Sequence, residues 1–528
     1  MSAPRRLHVV AIRVPTLIHN LTTVVTPSLP IGLAYVVAAI QDIATVQGID
    51  AIAERPEITD VTRFDDDLSI LGLTPDETVA RIERTPDVCL ISSMFSAEWL
   101  LVRDLVAKIR KRYPDCVIVG GGEHFNAAAE YSLANSDVDI CVLGEGEATA
   151  RELIERMTAS GGAVPLDVPG TVVRERGTGR VIRNAPRARI KDLASVPLPA
   201  WESFNVHAFL DRGIGQFDAG RRGTRSMPFV ASRGCPYRCT FCSNEFMWGT
   251  RWTPRKPGDV LDEWRLYIDR YGATHFDSCD LTAIVKRSWI VEFTKLLIDA
   301  DLGVTWGMPS GTRSEVLDDE TLPLLKRSGC QDITYAPESG SPHILEAMDK
   351  RISKTEMLES MRRCHAAGIV TKANIILGHP DERRRHVLET LGFIVQIALT
   401  GVEDLMVTEI SPYPGTVIFD RLLAEGRIRM DDEYFRSLSF MTSLGTSSSY
   451  ARYSRAELQT FRLVAWVLFY SLSHAVRPVR IARMVRDFGV GYGSTRLSKG
   501  LINMSKRRRS LRSARALEAP ATLTDTAS

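Results

Sequence analysis

Over the first 160 residues, short apolar runs alternate with segments whose apolar positions recur every three or four residues. Residues 7–14 (LHVVAIRV) predict a strand, 32–46 a helix, and 87–95 (DVCLISSMF) a second clear strand. An amphipathic helix follows over 97–112, then a strand at 116–122, a short helix, a strand at 139–144 and a helix over 148–157. Repeated strand–helix units predict an α/β domain with a doubly wound parallel sheet, whose ligands sit beyond the C-terminal strand ends. Between 160 and 200 the pattern changes. Residues 172–182 predict a small hairpin turning at Gly177-Thr178-Gly179, and DLASVPLPAW reads as a proline-stiffened connector.

From 226 the rhythm resumes with six strand candidates, at 227–234, 275–280, 304–310, 332–339, 371–378 and 404–411. Amphipathic helices fill the gaps near 258–270, 288–300, 319–328, 355–367 and 386–399. Six such units make a partial (β/α)6 barrel, two units short of the closed eight-fold form. The expected division is therefore a doubly wound domain over 1–160, a linker with a hairpin over 161–225, a partial barrel over 226–430 and helices over 431–505. Those helices comprise a pair around 455–487 that follows a Ser-rich loop at 443–451, and the basic tail over 506–528 reads as disordered.

Composition narrows the class. With 528 residues, 44% of them apolar and 25% charged, the chain has ample material for two or three packed cores. Lys and Arg number 66 against 64 Asp and Glu, so no global field draws it to nucleic acid. No apolar run approaches the ~18 residues of a membrane-spanning helix, and the N-terminus lacks a signal-peptide pattern. The nine cysteines include Cys89 and Cys141 inside apolar runs. That usage suits reduced thiols and predicts a cytoplasmic protein.

The run S-R-G-C-P-Y-R-C-T-F-C-S-N places Cys235, Cys239 and Cys242 at C-x3-C-x2-C spacing directly after the first barrel strand. Thiolates are soft ligands suited to iron–sulfur clusters, and three of them on a four-iron cluster leave one iron open. A structural zinc site would need a second short-spaced pair, and none is present. On these residues the chain resembles the radical S-adenosylmethionine superfamily, whose hallmark is this loop on a partial barrel. The resemblance implies a [4Fe-4S] cluster on the three cysteines and S-adenosylmethionine chelated to the open iron. It further implies reductive cleavage to a 5′-deoxyadenosyl radical, with an electron donor such as flavodoxin or ferredoxin. The stretches E-S-G-S at 338–341, G-H-P-D-E at 378–382 and P-Y-P-G-T at 412–416 are similar to family segments. They imply cofactor contacts from Glu338, from Arg313 after the third strand and from Asp280 after the second. The plainer alternatives are a cap or loop charge for Glu338 and Asp280, and a surface pair with Glu315 or Asp318 for Arg313.

The N-terminal sheet resembles the cobalamin-binding domain that precedes the barrel in one subgroup of that superfamily. The matching segments are P-S-L-P-I-G-L-A-Y at 27–35, S-S-M-F at 92–95, V-G-G-G-E at 119–123 and L-G-E-G-E at 143–147. They imply that Ser92, Ser93, Gly120, Gly121 and Gly122 line a cobalamin site; the plainer alternative is tight strand–helix turns. The D-x-H-x-x-G motif is absent, and His19 in L-I-H-N-L lacks its flanking Asp and Gly, so His19 reads as a loop residue. The function implied is cobalamin-dependent methylation of an unactivated carbon or phosphorus centre in a small molecule. The alternative is a radical oxidoreductase, cyclase or dehydratase without net methyl transfer. A methylthiotransferase would need three further cluster cysteines, and a non-enzymatic sensor would not need the barrel strand-end segments.

Overall fold

The computed structural model describes residues 5–215, 223–312, 316–438 and 450–506. Most of the Ser-rich loop, Arg313 and nearly all of the basic tail therefore lie outside the described residues. The N-terminal sheet is built from β1 (His8–Arg13), β2 (Thr45–Asp50), β3 (Val88–Ser92), β4 (Val117–Gly121), β5 (Ile140–Val142), β6 (Thr171–Arg174) and β7 (Val181–Arg183). Their spatial order is β7-β6-β5-β4-β3-β1-β2. The five strands β1–β5 are parallel, and β6 and β7 add to the edge in antiparallel sense. Such a sheet is covered on both faces, which is why β1, β3 and β4 read as continuous apolar runs.

Two expectations are corrected. The helix expected over 32–46 spans only Ile31–Ala38, and the chain then turns and enters β2. Residues 45–50 (TVQGID) are short and half-polar, so the apolar run before them masked an edge strand. Gly48 is required there, because a Cβ would strike the backbone oxygen of Ser203 in the crossing linker. The hairpin assigned to the 161–225 linker instead extends the N-terminal sheet as β6 and β7. Its turn glycines, Gly177 and Gly179, hold φ of +92° and +72°. Only the stretch that follows behaves as a connector: Trp201 is fully buried, and the Ala200 N–H bonds the Ala34 carbonyl.

The second sheet contains β8 (Ser226–Phe229), β9 (His275–Ser278), β10 (Thr305–Thr312), β11 (Cys330–Glu338), β12 (Val370–Leu377) and β13 (Asp404–Glu409). They pair in chain order, all parallel, as a six-stranded open barrel. Strand β8 is shorter than the expected 227–234. Residues 232–233 leave it to form a two-stranded antiparallel ladder with 253–254, which ties the base of the cysteine loop. Trp264 stacks on Phe276 at 4.2 Å and meets Phe229, Phe293 and Trp306 edge-on. This aromatic core fixes the first three barrel strands against their helices.

The helix Arg455–Val476 opens on a capping box of Ser454 and Glu457 and packs along helix Arg384–Thr400 and β13. It thereby covers the free edge of the open barrel. Helix Asp432–Ser437 instead joins the N-terminal domain, where Phe435 packs on Trp99 and Asp432 pairs with Arg103 at 2.8 Å. Among the described residues, no helix is long and apolar enough to cross a membrane.

Candidate active site

The C-terminal strand ends of both sheets face each other, and the cysteine loop lies between them. Cys235 is buried, while Cys239 and Cys242 are partly exposed. Gly234 holds φ +84°, and a Cβ there would strike the Arg251 carbonyl, so only glycine makes this entry turn. The Cys235 thiol lies 3.1 Å from the Thr282 hydroxyl, and the Cys242 N–H bonds the Cys239 carbonyl at 3.0 Å. Burial pushes the Cys242 thiol up to about 12, with smaller contributions from Glu123, Cys239 and Cys235. Three soft donors crowded on one glycine-hinged loop suit a polynuclear iron–sulfur core, whose positive irons would favour the thiolate forms. Among the described residues, no three His, Cys, Asp or Glu side chains are grouped so as to hold one metal ion. A four-iron cluster takes its thiolates on separate irons.

Arg233 joins this loop to the N-terminal domain. Its guanidinium donates to Glu145 at 2.9 Å and Glu147 at 2.5 Å, with all three side chains at least 90% buried. Tyr35 and Trp248 flank the same guanidinium, their ring centroids at 5.3 and 5.8 Å. Burial works against the charge, yet Glu147 and Glu145 more than offset it and raise the Arg233 pKa. S-R-G-C and L-G-E-G-E are separate segments in the sequence, and only the fold joins them into one clamp. Glu123, the last residue of V-G-G-G-E, is a second residue that the sequence does not single out. It begins helix Glu123–Ala127, which packs on helix Asn244–Trp248 after the cysteines, and burial raises its carboxyl to about 7.

At the barrel strand ends, Glu338 adopts left-handed backbone geometry at φ +63°, is buried, and receives the Lys350 ammonium at 3.0 Å. A non-glycine residue held there is strained, a feature that concentrates at ligand sites. The buried hydroxyls of Thr312, at the end of β10, and Ser341, three residues after Glu338, have no hydrogen-bond partner among the described residues. They are unspent polar groups at the place where a polar cofactor would lie, so the site fits S-adenosylmethionine. Asp280 behaves differently from its expected role as a cofactor contact. Its carboxylate accepts from Ser232, from Ser278 at 2.7 Å and from the Ala231 N–H at 3.2 Å, all buried. It braces the root of the cysteine loop.

The N-terminal strand ends divide in the same way. A Cβ on Gly121 would meet nothing within 4 Å, and neither would one on Gly144. Met94 and Phe95 stand 53% and 40% exposed beside them. This open, apolar ledge fits a broad ligand such as a corrin. Gly120 does not face it, because a Cβ there would run into the Phe125 ring at 2.5 Å. Gly122 serves the turn, with φ +96° and its missing Cβ space taken by the Ser93 carbonyl. Ser93 points inward to Glu98 at 3.1 Å, which leaves Ser92, half-buried at the end of β3, as the serine nearer the ledge. His19 ends the short strand Thr16–His19, and its Nδ1 accepts the Leu21 N–H at 3.0 Å.

Comparison with known proteins finds a family match in each of the two domains. Residues 229–394 match the radical SAM superfamily domain, and residues 19–154 match the B12 binding domain. An uncharacterised methyltransferase of Pyrococcus horikoshii is 26% identical over 404 residues, which cover 75% of this chain and 78% of the relative. The cytidylyl-2-hydroxyethylphosphonate methyltransferase of Streptomyces wedmorensis is 27% identical over 374 residues, 66% of this chain and 69% of that one. Among solved structures, the radical S-adenosylmethionine methyltransferase TsrM of Kitasatospora setae, with cobalamin and a [4Fe-4S] cluster bound, has a TM-score of 0.58 at 17% identity. That match covers 80% of this chain and 75% of TsrM, and shows a shared fold.

Proposed function

The chain belongs to the radical SAM superfamily and carries a B12-binding domain ahead of its barrel, and from that premise we propose cobalamin-dependent methylation of an unactivated carbon or phosphorus centre in a small molecule. The observation that carries the reading is the clamp: Arg233, two residues before Cys235, grips Glu145 and Glu147 of the N-terminal strand ends. It holds a cluster loop and a corrin ledge face to face across one cleft. When bound, the cluster and S-adenosylmethionine supply a 5′-deoxyadenosyl radical, and the corrin supplies the methyl group.

The residues of the chain hold and orient. Cys235, Cys239 and Cys242 ligate the cluster, and the Thr282 hydroxyl beside Cys235 fixes that thiolate. Glu338, held by Lys350, accepts from the amine or ribose of S-adenosylmethionine. Arg313 pairs its carboxylate, and Thr312 and Ser341 complete its hydrogen bonds. Gly121 would give a corrin close backbone approach, with Ser92 in register beside it on the neighbouring strand. We place the enzyme in the reducing cytoplasm, served by flavodoxin or ferredoxin and acting without a nucleic-acid partner. Anaerobic reconstitution followed by visible spectroscopy tests the reading. Stoichiometric corrin uptake is expected, and its absence sinks methyl transfer while sparing the radical step. A Cys239→Ala variant that still cleaves S-adenosylmethionine would overturn both.

A further inference from the structure

The open edge of the barrel borders a cavity of about 410 Å³ that the site described above does not use. One wall is the edge strand β13, with Met406 and Thr408. Another is helix Arg455–Val476, with Leu463, Trp466 and Val467. Helix 496–506 closes it with Leu501 and Met504, and Thr23 and Val24 of the N-terminal domain form its rim. Its volume lies within the ordinary range of small-molecule sites, roughly 300–1,000 Å³. At about 30 Å³ per water-sized group, it would hold on the order of a dozen heavy atoms.

Strand parity connects this cavity to the cleft. Ile376 of β12, Phe241 of the cysteine loop and Tyr413 each pack against the same hydrophobic cluster. Ile376 is in register with Thr408, and Asn374 with Met406. Residues two apart share a sheet face, so Met406 and Thr408 lie on the face of Ile376, which borders the cluster that Phe241 of the cysteine loop also meets. An occupant of the cavity could therefore extend along that face toward the radical.

Four of the polar side chains that line the cavity are engaged within the protein. Tyr470 donates its hydroxyl to Asp404 at 2.5 Å, and the Thr408 hydroxyl donates to the Ile375 carbonyl at 3.3 Å. Arg462 donates to the Val407 carbonyl at 3.3 Å and lies 4.0 Å from Glu409, while Arg496 lies 3.7 Å from Asp404. The apolar wall is left for a ligand. The surface around the mouth is apolar as well: Leu463 and Val467 are 50% and 57% exposed, and Leu501 and Met504 are each 37% exposed. The next helix, Val479–Val490, is packed polar side inward. Arg480 is buried against the Gly401 and Val402 carbonyls and Arg483 pairs with Glu403, while Val479 and Val485 stand about two-thirds exposed.

We propose that this cavity seats a neutral hydrocarbon portion of the substrate, an alkyl, isoprenoid or fused-ring segment, at the open edge of the barrel. Calling the occupant the substrate rests on the methyl-transfer reading; the binding does not, so it is measured separately from corrin uptake and product. The cluster-reconstituted full chain is titrated with N-phenyl-1-naphthylamine, an uncharged apolar fluorophore. One saturable site per chain is expected, weakened at least tenfold by Val467→Trp and, from the opposite wall, by Met504→Trp. Both positions are exposed enough to accept the larger ring. Val485→Asp, on the apolar face of the neighbouring helix, leaves the titration unchanged if the cavity is the site. Non-saturating binding, wild-type affinity in both tryptophan variants, or a tenfold loss in Val485→Asp overturns the proposal. So does a tenfold gain on deleting residues 507–528, which would make the chain's own tail the occupant.

Discussion

Replacing Arg233 with methionine removes the cation between two carboxylates that are at least 90% buried. Breaking a buried ion pair from one side costs about 3–5 kcal/mol, because the remaining charge is left without compensation. The lower end applies here, since each carboxylate keeps some support. Glu145 still accepts the Ile190 N–H at 2.6 Å, and Glu147 sits in the first turn of helix Gly146–Ala159, where the helix dipole favours an anion. A loss of about 3 kcal/mol against a urea dependence of roughly 3 kcal/mol per molar lowers the unfolding midpoint by about 1 M. The assay is equilibrium urea unfolding followed by tryptophan fluorescence, to which Trp248 beside the guanidinium contributes. Arg233→Lys keeps the charge but not the planar fork, and falls between. Neutralising the partners as well, with Glu145→Gln and Glu147→Gln, recovers more than half of the loss. A methionine variant that unfolds with the wild type, or a triple variant no better than the single one, refutes the clamp.

The remaining expectations concern the ledge and one buried acid. Gly121→Leu leaves the melting temperature within about 2 °C, since its Cβ meets nothing, but abolishes corrin uptake; unchanged uptake would remove the ledge as the binding face. Gly122→Ala lowers stability by about 2 kcal/mol, because it combines a left-handed backbone with a collision at the Ser93 carbonyl. Thermal unfolding checks it, and a neutral result contradicts the turn geometry. Burial raises Glu382 from 4.5 to about 7, although Tyr453 and the Gly378 N–H donate to it. The unfolded chain therefore ionises first, and stability falls as pH rises from about 4.5 through about 7. The gain from Glu382→Gln should grow over that window to on the order of 3 kcal/mol by pH 8. A gain that does not vary with pH would show that Glu382 ionises normally.

All six barrel strands were legible because each couples a short apolar run to a helix of regular period. Periodicity was weaker at Thr45–Asp50, where an edge strand is half-polar and follows an apolar helix without a breaker. The cysteine triplet was readable as one unit because its three thiols are local in sequence. Orientation at the N-terminal strand ends was not, since S-S and G-G-G offer neighbours on opposite faces and only the fold decides which faces the cleft. Ser93 and Gly120 turned inward, while Gly121 stayed open. Asp280 was placed correctly at its strand end, but the sequence cannot show that the loop it follows consumes its oxygens. Arg233 was hidden for a related reason: its partners lie 86 and 88 residues away. A lone arginine between a strand and a glycine-cysteine pair, with a G-E-G-E strand end elsewhere, is the signal that could have raised it.

The Asn503 side chain donates to the Thr23 carbonyl at 2.8 Å, across 480 residues of sequence. The two segments are made far apart in time during translation. At about 5–20 residues per second, the loop holding Thr23 waits roughly half a minute to a minute and a half for its partner to be made. Until helix Arg455–Val476 emerges, the edge of β13 stays uncovered. The segments that seal the apolar cavity and the barrel seam are therefore synthesised only after the whole barrel sheet. Premature termination before residue 455 would leave a nascent enzyme with all three cluster cysteines and an open, adhesive strand.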